Sequence, residues 1–304
     1  MRVAVVDIGT NSTRLLIADV DGGHPAEVEK RSIVTRLGDR VEATGRLAGA
    51  AQQRVFDVLG RYAELIDERG AQRRLAVMTS AVRDAANGEE FAAAVRDRYG
   101  LDARTLSGDE EARLTFLGAT AAREHGDGPL LVVDIGGGST ELVVGERGEV
   151  GFHVSTQAGV VRHSERHLRS DPPAEEETDA LARDVRAALG EAVPPGVRRS
   201  VRAAVAVAGT ATQCAAIDLG LEHYDGDRVE GHVISARRLA EIRATLAALP
   251  LAERRQVRGL HPDRAPVIVA GTILLAEVLE AFGLDAFEAS ERDILLGVAF
   301  DSAP

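Results

Sequence analysis

The sequence predicts an α/β fold of two related domains with mixed sheets, and three observations carry that prediction. Asp7-Ile-Gly-Thr-Asn-Ser-Thr13 recurs as Asp134-Ile-Gly-Gly-Gly-Ser-Thr140. Each copy lies between apolar, β-branched runs, 3–6 and 15–20 around the first, 130–133 and 141–144 around the second. Beyond each hairpin, strand-sized and helix-sized segments alternate, as in mixed-sheet α/β chains. Copies spaced about one domain apart indicate two related domains rather than a solenoid.

After the first hairpin come a strand at 26–35 and a helix at 48–68, where apolar residues recur at helical spacing. A strand at 73–79 runs into Ser80-Ala-Val-Arg-Asp-Ala-Ala-Asn87, followed by a helix at 89–99, a short strand at 103–106 and a helix after Ser107. The second hairpin leads to a third strand at 150–155 and a helix at 159–168. Asp171-Pro-Pro173 is a turn into a helix at 175–189, and Pro194-Pro-Gly196 is a loop. A strand at 202–207, helices at 209–219, 235–249 and 264–282, a short strand near Phe287 and a helix at 291–300 close the chain. The boundary is expected near 122–128, giving domains 1–124 and 125–290, with the terminal segment 291–304 packing back onto the first.

Composition removes several classes. The 304 residues carry 36 basic and 48 acidic side chains, a net charge of −12, which argues against nonspecific attraction to nucleic acid or an anionic membrane. Aromatic residues are 3% and Trp is absent, against a base-stacking single-strand binder. The one cysteine, Cys214, excludes an internal disulfide and a Cys-type zinc site, and its Ala-rich helical setting makes it a small core residue. The opening apolar run is cut by Asp7 and no run has membrane length, so a cytoplasmic location is expected.

The duplicated turn carries the chemistry. Glycine takes positive φ and removes side chains, so consecutive backbone N–H groups converge on one concave spot. Ser12, Thr13, Ser139 and Thr140 add hydroxyl donors, while the leading acids Asp7 and Asp134 hold a metal or orient a water. Singly, each Asp-x-Gly turn is an ordinary hairpin. Two copies so alike form a clamp for a phosphate chain, a strongly anionic ligand for an acidic protein.

Other polar residues sort by their local duties. Ser107-Gly-Asp-Glu110 has capping-box spacing, which gives Glu110 a structural task; Glu111 beside it has none. Glu141 opens a strand of period two and faces either the site or solvent. Arg83 follows the end of a predicted strand, where a guanidinium takes two phosphate oxygens at once. Asn87 is a turn residue rather than a ligand. His163 and His167 stand at i and i+4, but Glu165 is one place late for a zinc-protease helix, so the pair is assigned to a partly exposed helix.

Duplicated Asp-x-Gly hairpins on two α/β domains resemble the actin-like (ribonuclease H-like) superfamily, whose two domains flank an interdomain cleft. Four stretches narrow the resemblance to the short, two-domain branch of the exopolyphosphatase and guanosine-pentaphosphate phosphatase (Ppx/GppA) family. They are Thr79-Ser-Ala-Val-Arg-Asp-Ala-Ala-Asn87, Ser107-Gly-Asp-Glu-Glu-Ala-Arg113, Asp134-Ile-Gly-Gly-Gly-Ser-Thr-Glu-Leu142 and Ser290-Glu-Arg-Asp-Ile-Leu-Leu-Gly297. One departure is Ala208-Gly-Thr-Ala-Thr212, where the family pattern has a Gly-Gly-Thr doublet; the bulkier residue narrows whatever that turn faces.

The resemblance implies a hydrolase that releases orthophosphate from the end of inorganic polyphosphate. A guanosine-pentaphosphate phosphatase, or a non-catalytic polyphosphate or alarmone sensor, is the alternative. It places Glu111 as the base for the attacking water, with Asp134 and Glu141 as further catalytic acids and Glu141 turned to the site. Asp7, Asp134 and Glu141 would hold Mg²⁺ or Mn²⁺, with K⁺ a further candidate cation. Asn11, Ser12, Thr13, Arg83, Gly136, Gly137, Gly138 and Ser139 would bind substrate phosphates. The expected partners are polyphosphate, guanosine pentaphosphate in the alternative, and a second copy of the chain as a homodimer, with neither nucleic acid nor membrane. With so much negative charge, long chains should bind weakly without metal.

Overall fold

In the computed structural model, which describes residues 1–21, 24–121 and 128–302, the opening apolar run becomes the central strand of a five-stranded sheet. The chain divides into two units, Met1–Ala122 with Asp293–Pro304, and Arg123–Arg292. The expected boundary at 122–128 falls largely on 122–127, outside the described residues. Among the described residues no helix is long and apolar enough to cross a membrane.

The first unit runs β1 (Arg2–Ile8), β2 (Ser12–Asp21), β3 (His24–Val34), α1 (Val41–Thr44), α2 (Gly49–Glu68), β4 (Arg73–Met78), α3 (Ser80–Arg83), α4 (Gly88–Tyr99), β5 (Asp102–Thr105) and α5 (Gly108–Thr120). Its sheet has the order β3-β2-β1-β4-β5, with β1, β2 and β3 antiparallel in sequence and β4 and β5 parallel to β1. Side chains alternate across β1. Ala4, Val6 and Ile8 join the core beneath α2 and α4, whereas Val3 and Val5 pack with Leu114 of α5 and with Ile294, Leu295 and Val298. Both faces are covered, which is why positions 3–6 are all apolar instead of alternating.

The second unit runs β6 (Leu130–Ile135), β7 (Thr140–Glu146), β8 (Glu149–Thr156), α6 (Val160–His167), α7 (Glu175–Ala192), α8 (Pro195–Ser200), β9 (Ala203–Val207), α9 (Ala208–Asp218), α10 (Gly226–Val229), β10 (Val233–Ser235), α11 (Ala236–Ala248), α12 (Leu251–Arg254), α13 (Ile268–Phe282) and β11 (Ala286–Ala289). Read from β8, its sheet is β8-β7-β6-β9-β11 with β10 added at the far edge. The first five strands repeat the order and senses of the first sheet. Duplication therefore extends from the seven-residue motif to the topology.

The last helix, α14 (Ile294–Asp301), belongs to the first unit and crosses α5 at two glycines. A Cβ on Gly118 would run into the Asp293 backbone, and one on Gly297 into the Leu114 carbonyl. The expected start of this helix at 291 shifts to Ile294 because Asp293 caps it, its Oδ1 accepting from the Leu295 amide at 3.0 Å. The loop expected at Pro194-Pro-Gly196 is instead the start of α8, since proline is tolerated in a first helical turn. Cys214 is fully buried, and burial pushes its thiol up to about 12, so it stays protonated in the core.

Ala208 adopts φ +61° at the junction of β9 and α9. An L-residue there costs roughly 1–2 kcal/mol, and glycine returns part of that gain by loosening the unfolded chain. Ala208→Gly should raise stability by about 0.5–1 kcal/mol, measured by urea denaturation. A midpoint at or below that of the parent chain would contradict the strain.

Candidate active site

In the first unit the polar residues collect at the carboxyl ends of the parallel strands, where open α/β sheets place their ligands. Asp7, next to last in β1, lies on the face that carries Val3 and Val5, and the register sets it opposite Arg14 of β2. Directly paired residues on neighbouring strands share a face, so the Arg14 guanidinium reaches Asp7 Oδ2, with Nε at 2.9 Å and Nη2 at 2.6 Å. Its Nη1 donates to Asp293 Oδ2. Burial pushes the Asp7 carboxyl above its ordinary range; Arg14 pulls it back and Asp293 adds to the rise. The other oxygen, Asp7 Oδ1, is buried and has no hydrogen-bond partner among the described residues.

The turn that follows is tied from behind. The Asn11 carbonyl accepts from the amides of Thr35 and Arg36 at 3.0 and 2.9 Å, and the Thr10 carbonyl from Gly38 at 2.8 Å. The Thr13 hydroxyl, one of the expected phosphate donors, is buried and lies 3.0 Å from Thr35 Oγ1. The Asn11 side chain is 5% exposed, and its Nδ2 donor lacks a partner among the described residues.

Arg83 and Glu111 meet on the same unit. The short helix α3 is fastened to the turn by Thr10 Oγ1 and Ser80 Oγ at 2.9 Å. Arg83 Nη1 donates to Glu111 Oε2 at 2.9 Å and to the Leu106 carbonyl at 3.1 Å. Glu111 is buried in the first turn of α5. Beside it the capping box forms as the spacing predicts: the Ser107 amide donates to Glu110 Oε2 at 3.0 Å and the Glu110 amide to Ser107 Oγ at 3.2 Å. Those bonds hold the Glu110 carboxyl below its ordinary value. Asn87 tethers the loop at Leu47, accepting from its amide at 2.8 Å and donating to its carbonyl at 3.1 Å.

The second unit repeats the design with a different charge. Asp134, next to last in β6, stands opposite Glu141 of β7, so a carboxylate stands where the first unit has Arg14. Both are buried, and Glu141 Oε1 accepts from Ser155 Oγ at 2.8 Å. The Gly136 amide, one of the expected phosphate donors, closes the turn on the Ser139 carbonyl at 3.0 Å. The turn is again tied from behind: the amides of Val160 and Val161 donate to the carbonyls of Gly136 and Gly137 at 2.9 and 2.8 Å. Among the described residues no backbone hydrogen bond of this turn uses the amides of Gly137 or Gly138. Ser139 is buried in the same turn.

Arg14 and Asp293 were missed by sequence reasoning. Arg14 was accessible through the hairpin register that places it across from Asp7, whereas Asp293 arrives from the far end of the chain.

One fold repeated twice, with an acid and a tied-back turn at the end of the first strand of each copy, defines a chain of the actin-like (ribonuclease H-like) class. The Ppx/GppA phosphatase family matches residues 16–304, and the chain belongs to that family. It is accordingly a hydrolase of the phosphatase class. Exopolyphosphatase 2 of Mycobacterium tuberculosis is 38% identical, over 99% of this chain and 98% of that protein. The family member from Aquifex aeolicus superposes with a TM-score of 0.83 at 33% identity, covering 99% of this chain and 97% of that one. An exopolyphosphatase from Cytophaga hutchinsonii superposes at 0.90 with 26% identity, covering 100% and 99%.

Proposed function

We propose that the chain hydrolyses the terminal phosphoanhydride of inorganic polyphosphate and releases orthophosphate. The observation that carries this reading is a pair of buried atoms at the first turn with no partner among the described residues, the acceptor Asp7 Oδ1 and the donor Asn11 Nδ2. A buried polar group left unpaired costs about 1–3 kcal/mol, and a cation on the one and a phosphate oxygen on the other would relieve both. The near full-length similarity to an exopolyphosphatase supports the choice of substrate.

In this mechanism Asn11, Ser12 and Arg83 of the first unit hold phosphate oxygens of the substrate, and the amides of Gly137 and Gly138 with Ser139 do the same in the second. Glu111 takes a proton from the attacking water, and its pairing with Arg83 fixes where the carboxylate points. Asp7 Oδ1 in the first unit, and Asp134 with Glu141 in the second, offer carboxylate oxygens of the kind that would hold Mg²⁺ or Mn²⁺. The bound cation would neutralise charge on the phosphoryl oxygens. Phosphoryl transfer depends mainly on positioning and charge stabilisation, so several weak donors serve better than one strong base.

The test is phosphate release from short polyphosphate, long polyphosphate and guanosine pentaphosphate, each with and without Mg²⁺. Release from polyphosphate that is lost on chelation is expected. With a net charge of −12, affinity for long chains should fall when Mg²⁺ is removed. Faster release from guanosine pentaphosphate would overturn the substrate assignment, and release from none of the three would overturn the enzyme in favour of a binding protein.

A further inference from the structure

We propose that His163 and His167 of α6, with Asp184 of α7, form a binding site for a zinc-class divalent cation, separate from the carboxylates at the strand ends. One ligand atom from each of the three lies within 4.8 Å of the others. His167 Nε2 stands 2.8 Å from Asp184 Oδ2, and His163 Nε2 stands 3.6 Å from the same oxygen. Tetrahedral zinc with bonds of about 2.0–2.1 Å sets its donor atoms roughly 3.3 Å apart, so small side-chain rotations close the set. The histidines lie one helical turn apart on one face, and the helix brings the rings to 5.8 Å between centroids.

The tautomer of His163 is already the one a metal requires. Its Nδ1 lies 3.2 Å from the Gly159 carbonyl, which only accepts, so Nδ1 carries the proton and Nε2 offers its lone pair. The ring is 2% exposed, and burial pushes its pKa down, which keeps it neutral. His167 Nε2 already faces Asp184 Oδ2 at 2.8 Å, and a cation between the two would replace that contact. Arg166 Nη1 shares Asp184 Oδ2 at 3.0 Å. Its side chain is 43% exposed, so a cation displaces the guanidinium to the other carboxylate oxygen or to water. Two imidazoles and one carboxylate leave a fourth position for water, the donor set that favours zinc over Mg²⁺.

The sequence spacing was set aside because a zinc-protease helix needs its glutamate next to the first histidine. A third ligand from another helix removes that objection, and nothing in this assignment depends on the phosphatase reading.

The metal-free full-length chain is titrated with Zn²⁺ against a chromophoric chelator, and with Co²⁺ by visible absorption. Parent, His167→Ala and Asp184→Asn chains are compared, their folding checked by circular dichroism. Loss of a direct ligand should exceed the roughly 10–100-fold that losing an outer partner costs, so both variants should lose one Zn²⁺ equivalent and the tetrahedral Co²⁺ bands. Zn²⁺ held by the strand-end carboxylates remains equal in all three chains and cancels. Parent-like Zn²⁺ affinity in either folded variant, or no tetrahedral Co²⁺ spectrum in the parent, overturns the site.

Discussion

Glu111→Gln should lower kcat for polyphosphate by about 10²–10⁴-fold, the usual contribution of a general base, while KM stays near the parent value. The substitution keeps the shape of the side chain and an oxygen that can accept from Arg83 Nη1, which lies 2.9 Å from Glu111 Oε2 in the parent chain. It removes the capacity to take a proton. Because the loss is confined to the transition state, kcat and kcat/KM should fall together. The neighbouring acid provides the contrast. Glu110 closes the capping box and is ion-paired to Arg104 at 2.8 Å, so Glu110→Ala should cost about 0.5–2 kcal/mol of stability with little change in kcat. Steady-state kinetics and thermal melts on the two variants separate the roles. Turnover near the parent rate in Glu111→Gln would remove Glu111 from the mechanism.

Local and repeated features were legible in the sequence. The capping box at Ser107 spans four residues and needs no tertiary information. The two hairpins announce themselves because the same turn chemistry follows the same apolar run twice. What joins those pieces was harder to read. That Glu141 sits beside Asp134 is a matter of register, and the equivalent pair in the first unit is an acid with an arginine. Asp293 reaches Arg14 across 279 residues of sequence. His163 and His167 were visible as a spacing, yet their third neighbour comes from another helix. Thr13 shows a duty the motif does not announce: its hydroxyl meets that of Thr35 at 3.0 Å, while Tyr62 donates to its carbonyl at 3.0 Å. Ala208 was recognised as a departure from the family pattern, but strain at a left-handed backbone appears only when φ is known.

Gly159→Ala should disable the second turn without removing any polar group. Gly159 caps α6 at φ −123° and ψ 159°, backbone that any residue adopts, so the effect is purely steric. A Cβ there would come within 2.5 Å of the Gly137 carbonyl carbon and collide with the Gly138 carbonyl. Both are backbone atoms that no rotamer change can clear, and overpacking of this kind costs about 1–3 kcal/mol. The turn must move away, which loosens the bonds from Val160 and Val161 that hold its carbonyls. A displacement of about 1 Å in a positioning group costs on the order of 10²-fold, so kcat/KM for short polyphosphate should fall by that much, alongside a lower melting temperature. Gly190→Ala is the control of opposite sign. Gly190 is exposed inside α7 with nothing within 4 Å of its added Cβ, and alanine there favours the helix by about 1 kcal/mol. That variant should melt at or above the parent temperature with unchanged kinetics. If Gly159→Ala melts lower yet keeps the parent kcat/KM, the second turn is a structural hairpin and takes no part in holding the substrate.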